Sequence, residues 1–215
     1  MILLAGHYGS GKTNIAVNLA EQIKASGQPV AICDLDIVNP YFRTKDSEEE
    51  LREKGINLIC SKYANTNLDA PALPKEIYPA LEDKDTVLVM DIGGDDRGAL
   101  ALGRYAPSIL EENNYEMIFV ANFYRPLTTN AEEAVSVMRE VEFAGGIPFT
   151  AIINNSNLGS ETQPETILCK EEEGKRLSAL TGLPVLYTTV SDGLFDQMNG
   201  KVENLFELHL QKKPV

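Results

Sequence analysis

Near the start of the chain an apolar run gives way to Gly6-His-Tyr-Gly-Ser-Gly-Lys-Thr13, and a helical pattern follows. Residues 1–5 are apolar throughout and read as a buried strand. From Thr13 to residue 24, Ile15, Leu19 and Ile23 recur at i, i+4 and i+8 along one helix face, and Gly27 is placed to end it. The octet fits G-x-x-x-x-G-K-[ST] in full and in the strand–turn–helix context that gives the motif its meaning. Its glycines let the backbone curl closely and aim N–H groups into one hollow, and the helix start adds the positive end of its dipole. The expectation is a phosphate cradle built from Gly6, Gly9, Ser10, Gly11, Lys12 and Thr13, with Asn14 in the first helical turn. Lys12 should reach the β- and γ-phosphates of a nucleotide, and the Thr13 hydroxyl should bind Mg²⁺.

The rest of the chain repeats the alternation. Strands are predicted at 29–34, 56–60, 86–91, 115–121, 150–154 and 184–188. Helical patterns fall at 48–54, 74–81, 131–143 and 165–180, and 61–74 reads as a surface loop. An amphipathic segment at 202–210 is expected to be a packed final helix. Strand and helix in alternation predict an α/β chain: a three-layer α/β/α P-loop NTPase fold on a mostly parallel sheet. At 215 residues, one domain is the default.

Composition narrows the partners. A net charge of −13 and a pI near 4.6 argue against coating nucleic acid or resting on anionic lipid. No apolar run approaches the ~18 residues of a membrane span, and the apolar start runs into a turn motif instead of a cleavage site, which points to the cytoplasm. Cys33, Cys60 and Cys169 are too dispersed for a metal or redox pair and are expected to be reduced, mostly buried thiols. The acidic runs 48–50 and 171–173 read as solvated helix faces.

Two later strands end in acid. Strands of one parallel sheet open their carboxyl ends on a common crevice, so Asp34, Asp36 and Asp91 should gather beside the cradle. Asp91 is placed to hold the Mg²⁺ shell through water, and the N–H of Gly94 to meet a γ-phosphate. Of Asp34 and Asp36, one can steady the Mg²⁺ waters while the other orients an attacking water. The strand at 150–154 ends in Asn154-Asn155; either amide offers the donor and acceptor that an adenine edge presents, and no N-K-x-D guanine motif occurs. The segment 190–193 is a further candidate for wrapping the base, and Arg125, at another strand end, for meeting a substrate or partner.

With Gly9-Ser-Gly-Lys-Thr-Asn-Ile-Ala-Val-Asn-Leu-Ala20, Val30-Ala-Ile-Cys-Asp-Leu-Asp36 and Asp91-Ile-Gly-Gly94 in hand, the chain resembles the MinD/ParA group of ATPases, the CobQ/CobB/MinD/ParA nucleotide-binding family. The resemblance is good over the first 95 residues and lies in layout beyond them. It implies a dimer-prone ATPase, with Asp36 as the water-orienting residue and Asp34 in the Mg²⁺ shell. The family's signature lysine, directly after the first glycine of the cradle, is His7 here, and Arg43 and Arg97 are candidate substitutes. Two uses of ATP remain open: a slow nucleotide-state switch read by a protein partner, and a small-molecule enzyme resembling dethiobiotin synthetase. A nickel or iron–sulfur insertion ATPase is disfavoured by the missing cysteine pair.

Overall fold

The computed structural model describes residues 1–36, 48–60, 76–94 and 96–210; the predicted loop at 61–74 and Arg43 lie outside them. Its strands are β1 (Ile2–Ala5), β2 (Val30–Leu35), β3 (Asn57–Ile59), β4 (Val87–Ile92), β5 (Glu116–Ala121), β6 (Ala151–Asn154), β7 (Val185–Ser191) and β8 (Leu205–Leu208). The helices are α1 (Lys12–Ala25), α2 (Glu48–Glu53), α3 (Ile77–Glu82), α4 (Asp96–Gly103), α5 (Ala106–Glu112), α6 (Ala131–Gly145), α7 (Pro164–Leu168), α8 (Glu171–Thr181) and α9 (Asp192–Met198). The strands form one sheet in the order β3-β2-β4-β1-β5-β6-β7-β8, and every pairing is parallel.

The pleat sorts the side chains between two helical layers. Leu3, Ala5, Cys33, Leu35, Met90 and Phe119 pack with residues of α3, α4, α5, α6 and α8. Leu4, Ile32, Val89, Ile118 and Val120 meet Ile15, Ala16 and Leu19 of α1 on the other face, with Leu51 of α2 beside them. Central strands buried on both faces must be apolar at every position, which is why β1 reads as an unbroken apolar run up to Gly6, and β2 and β4 as apolar runs until an aspartate. Helix ends follow local chemistry: Asn130 caps α6 by accepting from the Glu133 N–H at 2.9 Å. Past α1, Gly27 at φ 88 returns its N–H to Lys24, and Gln28 does so to Ile23, closing the helix in the Schellman manner.

The structure departs from expectation in five places. The segment at 202–210 is not a helix but carries β8, an edge strand beside β7. Phe206 and Leu208 are buried while Leu205 and Glu207 are half-exposed, a period of two that outweighs the helical spacing. The single helix predicted at 165–180 is two, α7 and α8, parted at Cys169-Lys170. There the Thr166 carbonyl is taken by Tyr124 Oη at 2.7 Å and the Lys170 carbonyl by Asn154 Nδ2 at 3.3 Å. Helices α4, α5 and α9 have no counterpart among the predicted helices. Glu171 and Glu173 are not solvated. Glu171 is half-buried and accepts from Thr188 Oγ1 at 2.9 Å, and burial pushes its carboxyl up from the usual range. Glu173 accepts the N–H of Ala131 at the start of α6. Finally, Cys169 is exposed, whereas Cys33 is buried as expected.

Strand β8 is tied back to α1 by one side chain. Asn18, 3% exposed, donates to the His209 carbonyl at 3.0 Å and accepts the His209 N–H at 2.8 Å. Replacing it removes two hydrogen bonds to the backbone of His209, each contributing about 0.5–1.5 kcal/mol, so Asn18→Ala is expected to lower the unfolding free energy by about 1–3 kcal/mol. Urea denaturation reads this as a lower midpoint at unchanged slope. An unchanged midpoint would show that pairing with β7 and the burial of Phe206 and Leu208 hold β8 without these bonds. No helix among the described residues is long and apolar enough to cross a membrane.

Candidate functional site

Strand β1 lies inside the sheet between β4 and β5, so the turn that leaves it opens at the carboxyl end among their loops. In that turn the Ser10 N–H closes on the His7 carbonyl at 3.1 Å. Lys12, 5% exposed, folds into the loop and donates Nζ to the carbonyls of Gly6 and His7 at 3.1 and 3.3 Å. Gly11 precedes α1 at φ 95, and a β-carbon there would sit 2.1 Å from Asn155 Nδ2, so neither the backbone nor the space admits a side chain. The Ser10 hydroxyl is buried and has no hydrogen-bond partner among the described residues. His7 Nδ1 lies 3.1 Å from the Tyr8 carbonyl; a carbonyl only accepts, so Nδ1 carries the proton and the ring turns onto its own loop.

The acidic strand ends converge on this loop. Thr13 Oγ1 donates to Asp91 Oδ2 at 2.7 Å, joining the first turn of α1 to the end of β4. Asp34 stands in register with Asp91 on the neighbouring strand, and alternation with Ile32 and Val89 places both on the α1 face. The Asp36 N–H donates to Asp34 Oδ1 at 2.9 Å, and the Asp36 carboxylate lies against Gly93, where a β-carbon would be 3.4 Å from Oδ1. Gly94 follows, pressed on the cradle: a β-carbon there would meet the Tyr8 nitrogen at 2.7 Å and Lys12 Nζ at 2.9 Å. Asp34, Asp36 and Asp91 are all at least nine-tenths buried.

These residues fit a nucleotide with Mg²⁺. The glycine backbone fills space that side chains would deny to phosphate, and Lys12 supplies a cation within the loop. Around Thr13 the donors are a hydroxyl and carboxylates, the hard oxygens that Mg²⁺ prefers. Among the described residues no three His, Cys, Asp or Glu side chains converge as a metal cluster by themselves. A cation here would complete its shell with water and phosphate oxygens, the habit of Mg²⁺ at phosphate sites. Cys33, next to Asp34, is no candidate ligand, because burial, and then the charge of Asp34, push its thiol far up.

The two asparagines part company. Asn155 packs against the cradle: Nδ2 donates to the Ser10 carbonyl at 2.5 Å, and Oδ1 accepts from Thr189 Oγ1 at 2.5 Å and Asn157 Nδ2 at 3.2 Å. Asn154 faces α8, donating to the Lys170 carbonyl and accepting from Ser156 Oγ at 2.7 Å, so the structure does not bring its side chain to the loop. Thr189, Ser156, Asn122 and Asn157, which tie these strand ends together, were not singled out from sequence. Their signal was the run of polar residues closing β5, β6 and β7. Arg125 reaches the cradle, donating Nε to the Gly9 carbonyl at 3.0 Å. The segment 190–193 runs from the end of β7 into the first turn of α9.

The sequence matches the family model described as the CobQ/CobB/MinD/ParA nucleotide binding domain over residues 2–162. No curated protein matches it. Similar solved structures include the cell division protein FtsY from Thermotoga maritima, with TM-score 0.63 and 16% identity over 88% of this chain and 61% of that one. FtsY from Mycoplasma mycoides gives 0.58 and 19% over 86% and 58%. The signal recognition particle 54 kDa protein from Aeropyrum pernix, in complex with GDP, gives 0.56 and 18% over 87% and 40%. The chain thus spans 61% or less of each of these structures. At such identities the likeness establishes the fold.

Proposed function

This chain belongs to the CobQ/CobB/MinD/ParA nucleotide-binding family, and from that premise we propose that it binds Mg·ATP at residues 6–13 and acts as a slow nucleotide-state switch for a partner. The observation that carries the reading is the 2.7 Å bond from Thr13 Oγ1 to Asp91 Oδ2, which joins the cradle to the carboxylate that ends β4. In this proposal Gly6, Gly9, Ser10, Gly11, Lys12, Thr13 and Asn14 bind the phosphates. Thr13, Asp34 and Asp91 hold the hydrated cation, and Asp36 orients the water. Bound Mg²⁺ would neutralise phosphate charge and polarise the terminal phosphorus. The cytosol is the natural setting, with the whole chain acting as one nucleotide-binding domain that can pair with a second copy.

A switch needs a part that feels the γ-phosphate and moves. Gly94 touches Tyr8 and Lys12, while Gly98 of α4 packs on Gly93 so closely that a β-carbon would lie 2.4 Å from its Cα. A shift of 93–94 toward a γ-phosphate therefore carries α4 with it, because packed backbones leave no slack. Amide exchange across 96–103 should differ between the Mg·ATP and Mg·ADP forms. Identical exchange in both forms would remove α4 from the switch.

The choice of base rests on sequence. There is no N-K-x-D, and Asn155, just past the end of β6, holds Ser10, Thr189 and Asn157, so it would have to exchange one of these bonds to read an adenine edge. ATP is expected to bind more tightly than GTP by on the order of tenfold, the worth of one hydrogen-bonded pair. A competition titration measures the ratio; equal affinities would count against ATP selectivity and leave a nucleotide site that does not read the base.

A further inference from the structure

We propose that Arg125 is a phosphate-contacting arginine acting in cis, placed at the mouth of the cradle to meet the β–γ end of the nucleotide; this rests on the nucleotide reading above. The starting point is that Arg125 Nε donates 3.0 Å to the Gly9 carbonyl across 116 residues of sequence. The contact exists because β5 lies beside β1, so the loop that leaves β5 runs alongside the cradle.

That loop is built to hold the arginine still. Asn122, 1% exposed, accepts the Tyr124 N–H at 3.0 Å, and its carbonyl takes the Arg125 N–H at 3.0 Å and Thr128 Oγ1 at 3.0 Å. The Phe123 N–H donates to Ser156 Oγ at 3.1 Å while its ring sits in the core. Tyr124 Oη donates to the Thr166 carbonyl at 2.7 Å, with Lys170 Nζ 5.2 Å above the ring. Residues on both sides of Arg125 are therefore fixed, and the side chain is laid over the cradle.

The chemistry of the contact points to an anion. Holding a long side chain costs conformational entropy, and a neutral carbonyl is a modest partner for a guanidinium. Arginine carries five N–H donors in a planar fork, and phosphate is the partner for which that fork is shaped. The loop begins at Gly6 and His7, where Lys12 and Gly94 converge, and ends in α1, and Gly9 lies between. Two cations thus bracket the loop, Lys12 within it and Arg125 at its rim. During hydrolysis the water oxygen bonds to the γ-phosphorus as the bond to the β–γ bridging oxygen breaks. The electron pair stays on the β-phosphate, and the water proton passes to the released phosphate. A guanidinium at the rim stabilises the charge that gathers on the bridging oxygen.

The test uses the full chain, the Arg125→Ala and Arg125→Lys variants, and Mg·ATP and Mg·ADP as probes. Calorimetry should show the ATP-over-ADP preference falling about tenfold in Arg125→Ala. Single-turnover hydrolysis should fall on the order of 10²-fold, with Arg125→Lys between, since lysine keeps the charge and loses the fork. Mixing Arg125→Ala with Lys12→Ala distinguishes cis from trans: an in-cis arginine gives no recovery. Recovery on mixing overturns the cis placement, and an unchanged preference together with an unchanged rate overturns the role. Absence of nucleotide binding by the unaltered protein overturns the underlying nucleotide reading instead.

Discussion

Lys12→Ala is expected to abolish nucleotide binding at any practical concentration. Lys12 is 5% exposed and its ammonium sits inside the loop on two carbonyls, the place where a phosphate chain would lie. Bonds from a charged donor to phosphate contribute about 1.5–3 kcal/mol each, and exchanging carbonyl partners for phosphate oxygens keeps the lysine's donors satisfied. Losing two such bonds weakens binding by roughly 10²- to 10⁴-fold. Asp34, Asp36 and Asp91, each at least nine-tenths buried on neighbouring strand ends, make the loss worse, because without Lys12 the anionic ligand lies near acidic side chains with less positive charge to offset them. Calorimetry with Mg·ATP on both proteins measures this, with thermal melts to confirm that the variant folds. Affinity within a few fold of the unaltered protein would show that the backbone alone holds the phosphates and that Lys12 serves only to brace the loop.

What could be read in advance follows the physics of each element. The cradle was legible because a backbone requirement is written directly as glycine, as at Gly11 with φ 95. Strands β1, β2 and β4 were legible because burial on both faces forces apolar residues until the crevice begins. Strand β8 was misread because its four residues also fit a helical spacing, and only its neighbour β7 decides between the periods. Helices α4 and α5 carried a usable signal in Ala99, Leu102, Ala106 and Ile109, all buried at helical intervals, that went unread. Which asparagine faces the cradle could not be told from the pair Asn154-Asn155, because it depends on the pleat at the end of β6 and the register shift at Ile152/Ile153. The Arg125–Gly9 contact is invisible in sequence for another reason: it depends on strand order, and strand order emerges only when the sheet is assembled.

Asp36→Asn is expected to separate binding from hydrolysis. Asparagine has the size and shape of aspartate, so the packing against Gly93 and the Asp34 bond to the backbone N–H of residue 36 should persist. The substitution removes the negative charge that would orient the attacking water, a function needed only when water attacks. Nucleotide affinity should therefore stay within about threefold, while single-turnover hydrolysis falls on the order of 10²-fold, the cost of losing one water-positioning group. Asp34→Asn provides the contrast. Asp34 stands in register with Asp91 on the side of the Thr13 hydroxyl, so its loss should raise the Mg²⁺ concentration needed for binding before it touches the rate of the saturated protein. The pair of variants thus assigns two carboxylates two residues apart to different tasks. If Asp36→Asn shifts the Mg²⁺ requirement and Asp34→Asn slows the saturated rate, the roles are exchanged. A rate unaltered in Asp36→Asn would remove that carboxylate from the mechanism and leave Asp34 as the group beside the cradle able to orient the water.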